Sequence, residues 1–115
     1  MRKTTKKDFE LYKKECQKWI DFFGLKEWRW IFEWKDLENN NAECKGNCTG
    51  MIMTLKLGKR IDVPAPILAF HEVLHALLWD WSAGGYARFI AKEVLEEEEE
   101  KVVRRLEKLL PYIKI

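Results

Sequence analysis

The chain has 115 residues, 47% of them hydrophobic, and a formal net charge of +2 at pH 7. This length fits one domain, 1–115, with a modest core, and the hydrophobic content excludes a disordered chain. The charge is too small to favour nucleic acid or a membrane surface as a partner, and no apolar run reaches the roughly 18 residues of a membrane span. The basic N-terminus leads into an amphipathic segment and not into a signal peptide, so we expect a cytoplasmic protein.

The first predicted element is an amphipathic helix from about Thr5 to Phe23. Thr5 with Asp8 has the form of a capping box, and Gly24 suits the end of a helix. Its apolar residues recur at spacings of three and four, which predicts one face in the core. These residues are Phe9, Tyr12, Cys16, Trp19, Ile20 and Phe23.

Alternating aromatic residues predict a strand next. Trp28, Trp30, Phe32 and Trp34 occupy every second position. Such a face can stack on bases or sugars, but we favour burial against a helix because aromatic side chains dominate core energetics.

Two further strands are predicted after the turn-forming Asn39–Asn41. One covers Ala42–Cys44, followed by a turn at Lys45–Asn47, and the other covers Met51–Leu57, near a sheet edge. Cys44 and Cys48 have no second pair of ligands for a four-ligand metal site, so we interpret them as free thiols near a hairpin.

A buried helix is predicted after Asp62, which can cap a helix with prolines in its first turn. From Ile67 to Trp81 this helix is apolar nearly all round, and a helix of that kind lies in the core.

The run His71-Glu72-Val73-Leu74-His75 lies within that helix and contains both histidines of the chain. Residues four apart share one helix face, so His71 and His75 can bind one metal ion, with Glu72 beside them as a proton acceptor. The alternative is a histidine pair that is only packed and hydrogen-bonded. We favour the metal site.

A final helix is predicted from about Tyr86 to Leu110, with the run Glu96–Glu100 on it. Five consecutive glutamates usually form a solvated face, but they point in every direction around a helix. The later apolar stripe places Glu99 towards the core, where a carboxylate needs a counter-charge. Glu99 is therefore the expected third ligand, with Glu98 and Glu100 as alternatives. A structural ion pair with an arginine or an N-terminal lysine is the competing interpretation.

The order of elements, His71–Leu78 and the run Glu97–Val103 resemble the small gluzincin-type zincins. The resemblance is greatest to compact phage-encoded metallopeptidase-like proteins and to ImmA/IrrE-type regulators. Glu99 with Val102 and Leu106 matches the spacing around the family's glutamate ligand. The family's usual Ala-Asn pair after that ligand is absent.

The resemblance implies an α+β, zincin-like minimal domain. Its parts are an N-terminal helix, a small three-stranded twisted sheet, the HExxH helix and a C-terminal helix that carries a glutamate ligand. It also implies a zinc-dependent metallopeptidase in the cytoplasm, or in the host cytoplasm for a phage protein, acting on a peptide or protein. A regulatory protein partner is a further expectation.

In this interpretation His71, His75 and Glu99 bind Zn²⁺ and Glu72 is the general base. A peptide pairs with the edge of Met51–Leu57. Tyr86 is a candidate hydrogen-bond donor to the reaction intermediate, and Asp80 a candidate partner of a histidine.

Two alternatives stay open. One is a regulatory or binding protein of zincin fold that holds structural zinc with little proteolysis. The other is a nucleic-acid-binding module that uses the tryptophan face and the basic N-terminal helix, and the small net charge argues against it.

Overall fold

The computed structural model describes residues 1–79 and 92–113, and only the backbone of 92–95. These residues form an α+β arrangement, as predicted. In chain order the elements are β1 (Arg2–Lys3), α1 (Lys6–Phe23), β2 (Arg29–Lys35), β3 (Ala42–Asn47), β4 (Ile52–Gly58), β5 (Arg60–Ile61), α2 (Ala65–Leu77), α3 (Lys92–Glu107) and a 3₁₀ turn (Leu110–Tyr112).

The prediction for α1 is confirmed at both ends. The Thr5 hydroxyl accepts a hydrogen bond from the Asp8 amide, and the Asp8 carboxylate accepts one from the Thr5 amide. Gly24 ends the helix in the left-handed conformation, at φ 68°. The buried face carries Tyr12, Cys16, Trp19 and Ile20.

The three-stranded sheet has the order β2–β4–β3, with β2 parallel and β3 antiparallel to β4. The prediction that Met51–Leu57 lies near a sheet edge is therefore wrong, because β4 pairs on both sides. Alternation along a strand shows that one face is buried but does not show how many neighbours the strand has. Met53, Leu55 and Leu57 of β4 are completely buried.

The predicted turn at Lys45–Asn47 is also wrong, since β3 continues to Asn47 and the chain reverses at residues 48–51. There the Gly50 amide donates to Asn47 Oδ1 at 3.1 Å, and Met51 takes a positive φ of 53°. Gly46 does not form a turn but lets the indole of Trp79 pack closely against the backbone of β3. A Cβ atom there would lie 2.5 Å from the indole of Trp79.

The aromatic face of β2 packs on α1, as predicted. The rings of Trp34 and Phe9 stack with centroids 5.8 Å apart, and Trp30 Nε1 donates to the Leu25 carbonyl at 3.0 Å. On Trp34 the ammonium group of Lys59 lies 3.3 Å from the ring centroid. Trp28 is buried, and Trp30, Phe32 and Trp34 are partly buried against the core.

The helix α2 begins at Ala65, after Pro64, and the prediction that Asp62 caps it is wrong. The Asp62 amide instead donates to Asn41 Oδ1 at 2.7 Å, which ties this segment to the loop before β3. Two prolines preset the first turn and replace a side-chain cap.

Each face of α2 contacts a different element. It packs on α1, where the rings of Trp19 and Phe70 lie 4.5 Å apart, and it contacts β3, β4 and α3. From α3 the fully buried Val103 joins the core. Among the described helices, none combines the length and the apolar character needed to cross a bilayer.

Candidate metal centre

Three side chains with potential ligand atoms converge between α2 and α3. His71 and His75 lie one turn apart on α2, and their Nε2 atoms are 3.1 Å from each other. The Glu100 carboxylate of α3 lies 3.0 Å from each of them, through Oε1 to His71 and through Oε2 to His75. These three side chains can hold a metal ion.

The other nitrogen of each imidazole is held by a carboxylate. His75 Nδ1 lies 2.7 Å from Glu99 Oε1, and His71 Nδ1 is hydrogen-bonded to the carboxylate of Glu107. A carboxylate accepts, so each Nδ1 carries the hydrogen and donates it when the imidazole is neutral. Each Nε2 then presents a lone pair, which is the tautomer that a metal ligand requires.

A cation fits this arrangement for an electrostatic reason. Two Nε2 lone pairs and a carboxylate lie within 3.1 Å of one another. Neutral imidazoles in this tautomer offer no hydrogen at Nε2, so the three acceptors repel each other unless a proton or a metal ion lies among them. Partial burial increases that repulsion, because the side chains of His71 and His75 are only 22% and 18% exposed.

Glu99 is buried, as its position relative to the apolar stripe predicts, at 6% exposure. Its Oε1 lies at Nδ1 of His75, however, whereas Glu100 lies at the two Nε2 atoms. Glu99 as a metal ligand stays a prediction, and the geometry favours Glu100, one of the two alternatives. Glu98, the other, is exposed and pairs with Lys101. One position along a helix turns a side chain by about 100°, which accounts for the difference.

Glu72 is the third member of the motif and is buried at 6% exposure. Burial raises its pKa from an ordinary value of 4.5 to about 7, although His75 and His71 act in the opposite direction. A carboxylate with a pKa near neutrality can both accept and release a proton at that pH.

The pKa of His75 is raised by its surroundings. Burial alone lowers it, but the hydrogen bond to Glu99 and the charges of Glu72 and Glu100 outweigh burial. This site is therefore rich in negative charge and favours a positive charge at His75.

An open cleft of about 590 Å³ leads to the centre. His71, Glu72 and Glu100 form part of its lining, so the candidate ligands and the buried carboxylate are accessible to a ligand in the cleft. The rest of the lining comes from the loop 39–42, from the residues around the start of α2, and from Arg104 and Glu107 of α3.

Glu107 was not among the site residues predicted from the sequence. Glu107 follows Glu100 by seven positions, two helical turns, so both carboxylates face α2. That spacing was a usable signal. Tyr86 and Asp80 lie outside the described residues. Cys16, Cys44 and Cys48 are free thiols, and Cys16 is buried as predicted.

No protein-family model matches the chain, and no curated protein or solved structure matches it either.

Proposed function

We propose that the chain is a zinc-dependent metallopeptidase with a minimal zincin-like architecture. The observation that carries the proposal is the convergence of His71 Nε2, His75 Nε2 and the Glu100 carboxylate beside the buried Glu72 in an open cleft. Two imidazoles and one carboxylate are a common ligand set of catalytic zinc, which keeps a fourth position open.

The candidate ligand groups are of the kind that binds zinc, because imidazole nitrogen and carboxylate oxygen are both zinc ligands. The two Nε2 atoms are 3.1 Å apart, and each lies 3.0 Å from a different oxygen of Glu100. When bound, zinc supplies Lewis-acid chemistry, which polarises a peptide carbonyl and lowers the pKa of water.

Glu72 takes the role of general base. The carboxylate of Glu72, buried at 6% exposure in the lining of the cleft, accepts a proton from the attacking water. The protonated Glu72 then delivers that proton to the amine that leaves. Burial raises the pKa of this carboxyl group, which makes Glu72 a stronger base than an exposed glutamate.

Glu99 and Glu107 act through the histidines. By accepting from Nδ1 of His75 and His71, they fix the orientation of each ring and keep Nε2 free for the metal. In this proposal α3 therefore supplies one ligand and two positioning residues.

An extended peptide can pair with β3 instead of the central β4. Among the described strands β3 is hydrogen-bonded on one side only, to β4, and it contacts α2. Strand addition to such an edge satisfies the main chain of the substrate and leaves its side chains for recognition.

The test is hydrolysis of a mixed peptide library by the zinc-loaded protein and by the variants Glu72→Gln and Glu97→Gln. Glu97 is an exposed residue of the same helix as Glu100 and serves as the control. We expect cleavage by the wild type and by Glu97→Gln, and a loss of at least about a hundredfold in Glu72→Gln with zinc retained. Zinc binding without cleavage in any of the three contradicts a peptidase and supports a regulatory or binding protein with structural zinc.

A further inference from the structure

Arg104 stands out in the lining of the cleft. It lies one helical turn after Glu100, and its side chain is 73% exposed. Among the described residues that line the cleft, it is the only lysine or arginine, whereas Glu72, Glu100 and Glu107 are acidic. A ligand in this cleft meets one side-chain cation that is not part of the histidine cluster.

The ion pair of Arg104 leaves it available for a ligand. Its Nε lies 3.6 Å from Glu100 Oε1, which is an ion-pair distance but longer than a hydrogen bond. An exposed ion pair of this kind contributes little to the stability of the fold. The carboxylate of Glu100 already faces both imidazoles, and a guanidinium has five donors in a planar fork that matches a carboxylate.

The remaining lining fits a peptide end. Val63, Ile67 and Leu68 supply an apolar part, and Ile67 is 40% exposed although it lies on α2. Asn41 belongs to the polar part, and its Oδ1 is fixed by the Asp62 amide at 2.7 Å. This held loop brings amide groups into the cleft that can bond to a peptide main chain.

We propose that Arg104 binds a carboxylate of the ligand, next to an apolar side chain that packs on Ile67. The carboxylate is either the free C-terminus of a peptide or an acidic side chain, which present the same group to the guanidinium. That the ligand is a peptide substrate rests on the proposed function, but the carboxylate preference of the cleft can be measured as binding without any cleavage.

The experiment uses zinc-loaded Glu72→Gln protein, which keeps a bound peptide intact. Three apolar peptides are compared by calorimetry: one with a free C-terminus, one with a C-terminal amide, and one with a C-terminal amide and an internal glutamate. We expect one of the two peptides that carry a carboxylate to bind about tenfold more tightly than the neutral amide. Tighter binding of the first indicates a C-terminal carboxylate, and tighter binding of the third indicates an acidic side chain.

The same titrations follow in Arg104→Gln and Arg105→Gln, each on the Glu72→Gln background. Arg105 is exposed on the same helix and does not line the cleft, so it is the matched control. The ratio of the affinity for the preferred carboxylate peptide to that for the neutral amide should fall to about one in Arg104→Gln and stay near ten in Arg105→Gln. A preference that persists in Arg104→Gln places the carboxylate elsewhere, for example on the zinc, and overturns the proposal.

Equal binding of all three peptides, or binding of none, overturns the proposal as well. The wild-type protein is then tested for cleavage of the same peptides. A preference that depends on Arg104 without any cleavage contradicts the peptidase and leaves the carboxylate site standing. Cleavage with equal rates for the three peptides contradicts the carboxylate site alone.

Discussion

The two sides of α2 are held by different forces. Towards α1 and the sheet, the contacts are apolar and aromatic, with Trp19 on Phe70 and with Met53 and Leu55 of β4 fully buried. Towards α3, two imidazoles meet carboxylates of the other helix, and among the described side chains of α3 that are largely apolar only Val103 is fully buried.

Because of this difference, we expect pH and metal ions to affect the contact between α2 and α3 more than the contacts of α2 with α1 and the sheet. Apolar burial responds little to pH and not at all to metal. The interface between α2 and α3 gathers four carboxylates around two histidines, so its stability depends on whether protons or a metal ion balance that charge. We expect α3 to be the part of the fold that responds to the metal.

Removal of the metal should have the largest effect. At a free zinc concentration of about 1,000 times Kd, binding stabilises the native state by about 4 kcal/mol, and a chelator removes that contribution. Amide hydrogen exchange should show a large loss of protection in α3 and a smaller one in α1 and β4. An equal loss of protection in α3 and in α1 and β4 would contradict the expectation that α3 responds most to the metal.

The variant Glu72→Gln should stabilise the metal-free protein in a pH-dependent manner. The folded-state pKa of about 7 is above the ordinary 4.5, so the contribution of Glu72 to stability is present below pH 4.5 and is lost as the pH rises through 7. Glutamine does not ionise. We expect a gain of up to about 3 kcal/mol at pH 8 and less than about 0.5 kcal/mol at pH 4.5, measured by urea unfolding. The same gain at both pH values would show that ionisation is not the cause.

The variant Glu107→Gln should weaken zinc binding without abolishing it. Loss of a carboxylate that orients a metal-bound histidine typically costs 10- to 100-fold in metal affinity, about 1.4–2.7 kcal/mol. Zinc affinity is measured by competition with a chromophoric chelator. Glu96→Gln, an exposed change on the same helix, is the control. An unchanged affinity in Glu107→Gln would remove Glu107 from the site.

The smallest expected change in stability is that of a variant in α1, away from the metal centre. Thr5→Ala removes the hydroxyl that caps α1 and should cost about 1 kcal/mol. Because this site is remote from α3, the cost should be the same with zinc and with a chelator, as judged by urea unfolding under both conditions. A cost that changes with zinc would couple the two regions.

The sequence predicted the α1 side of the molecule more closely than the sheet order. The capping box of Thr5 with Asp8 and the apolar face of α1 follow from local rules, and the structure has both. The central position of β4 depends on pairing with β2, about 23 residues away, and local alternation contains no information on that pairing.

For the candidate site, the sequence predicted the histidines because residues four apart must share a helix face. The choice between Glu99 and Glu100 depends on how α3 is rotated about its axis. The apolar stripe predicted correctly that Glu99 is buried, four positions before the fully buried Val103. It could not predict that the two Nε2 atoms face the neighbouring Glu100, because that depends on where α3 packs against the histidines of α2.

Zinc content and affinity in four proteins test the metal centre most directly: the wild type, Glu100→Gln, Glu99→Gln and Glu97→Gln. We expect about one zinc ion per wild-type chain, unchanged binding in Glu97→Gln, a moderate loss in Glu99→Gln and the largest loss in Glu100→Gln. No zinc in the wild type after zinc is added back would contradict the metal centre, and a larger loss in Glu99→Gln than in Glu100→Gln would contradict the assignment of its third ligand.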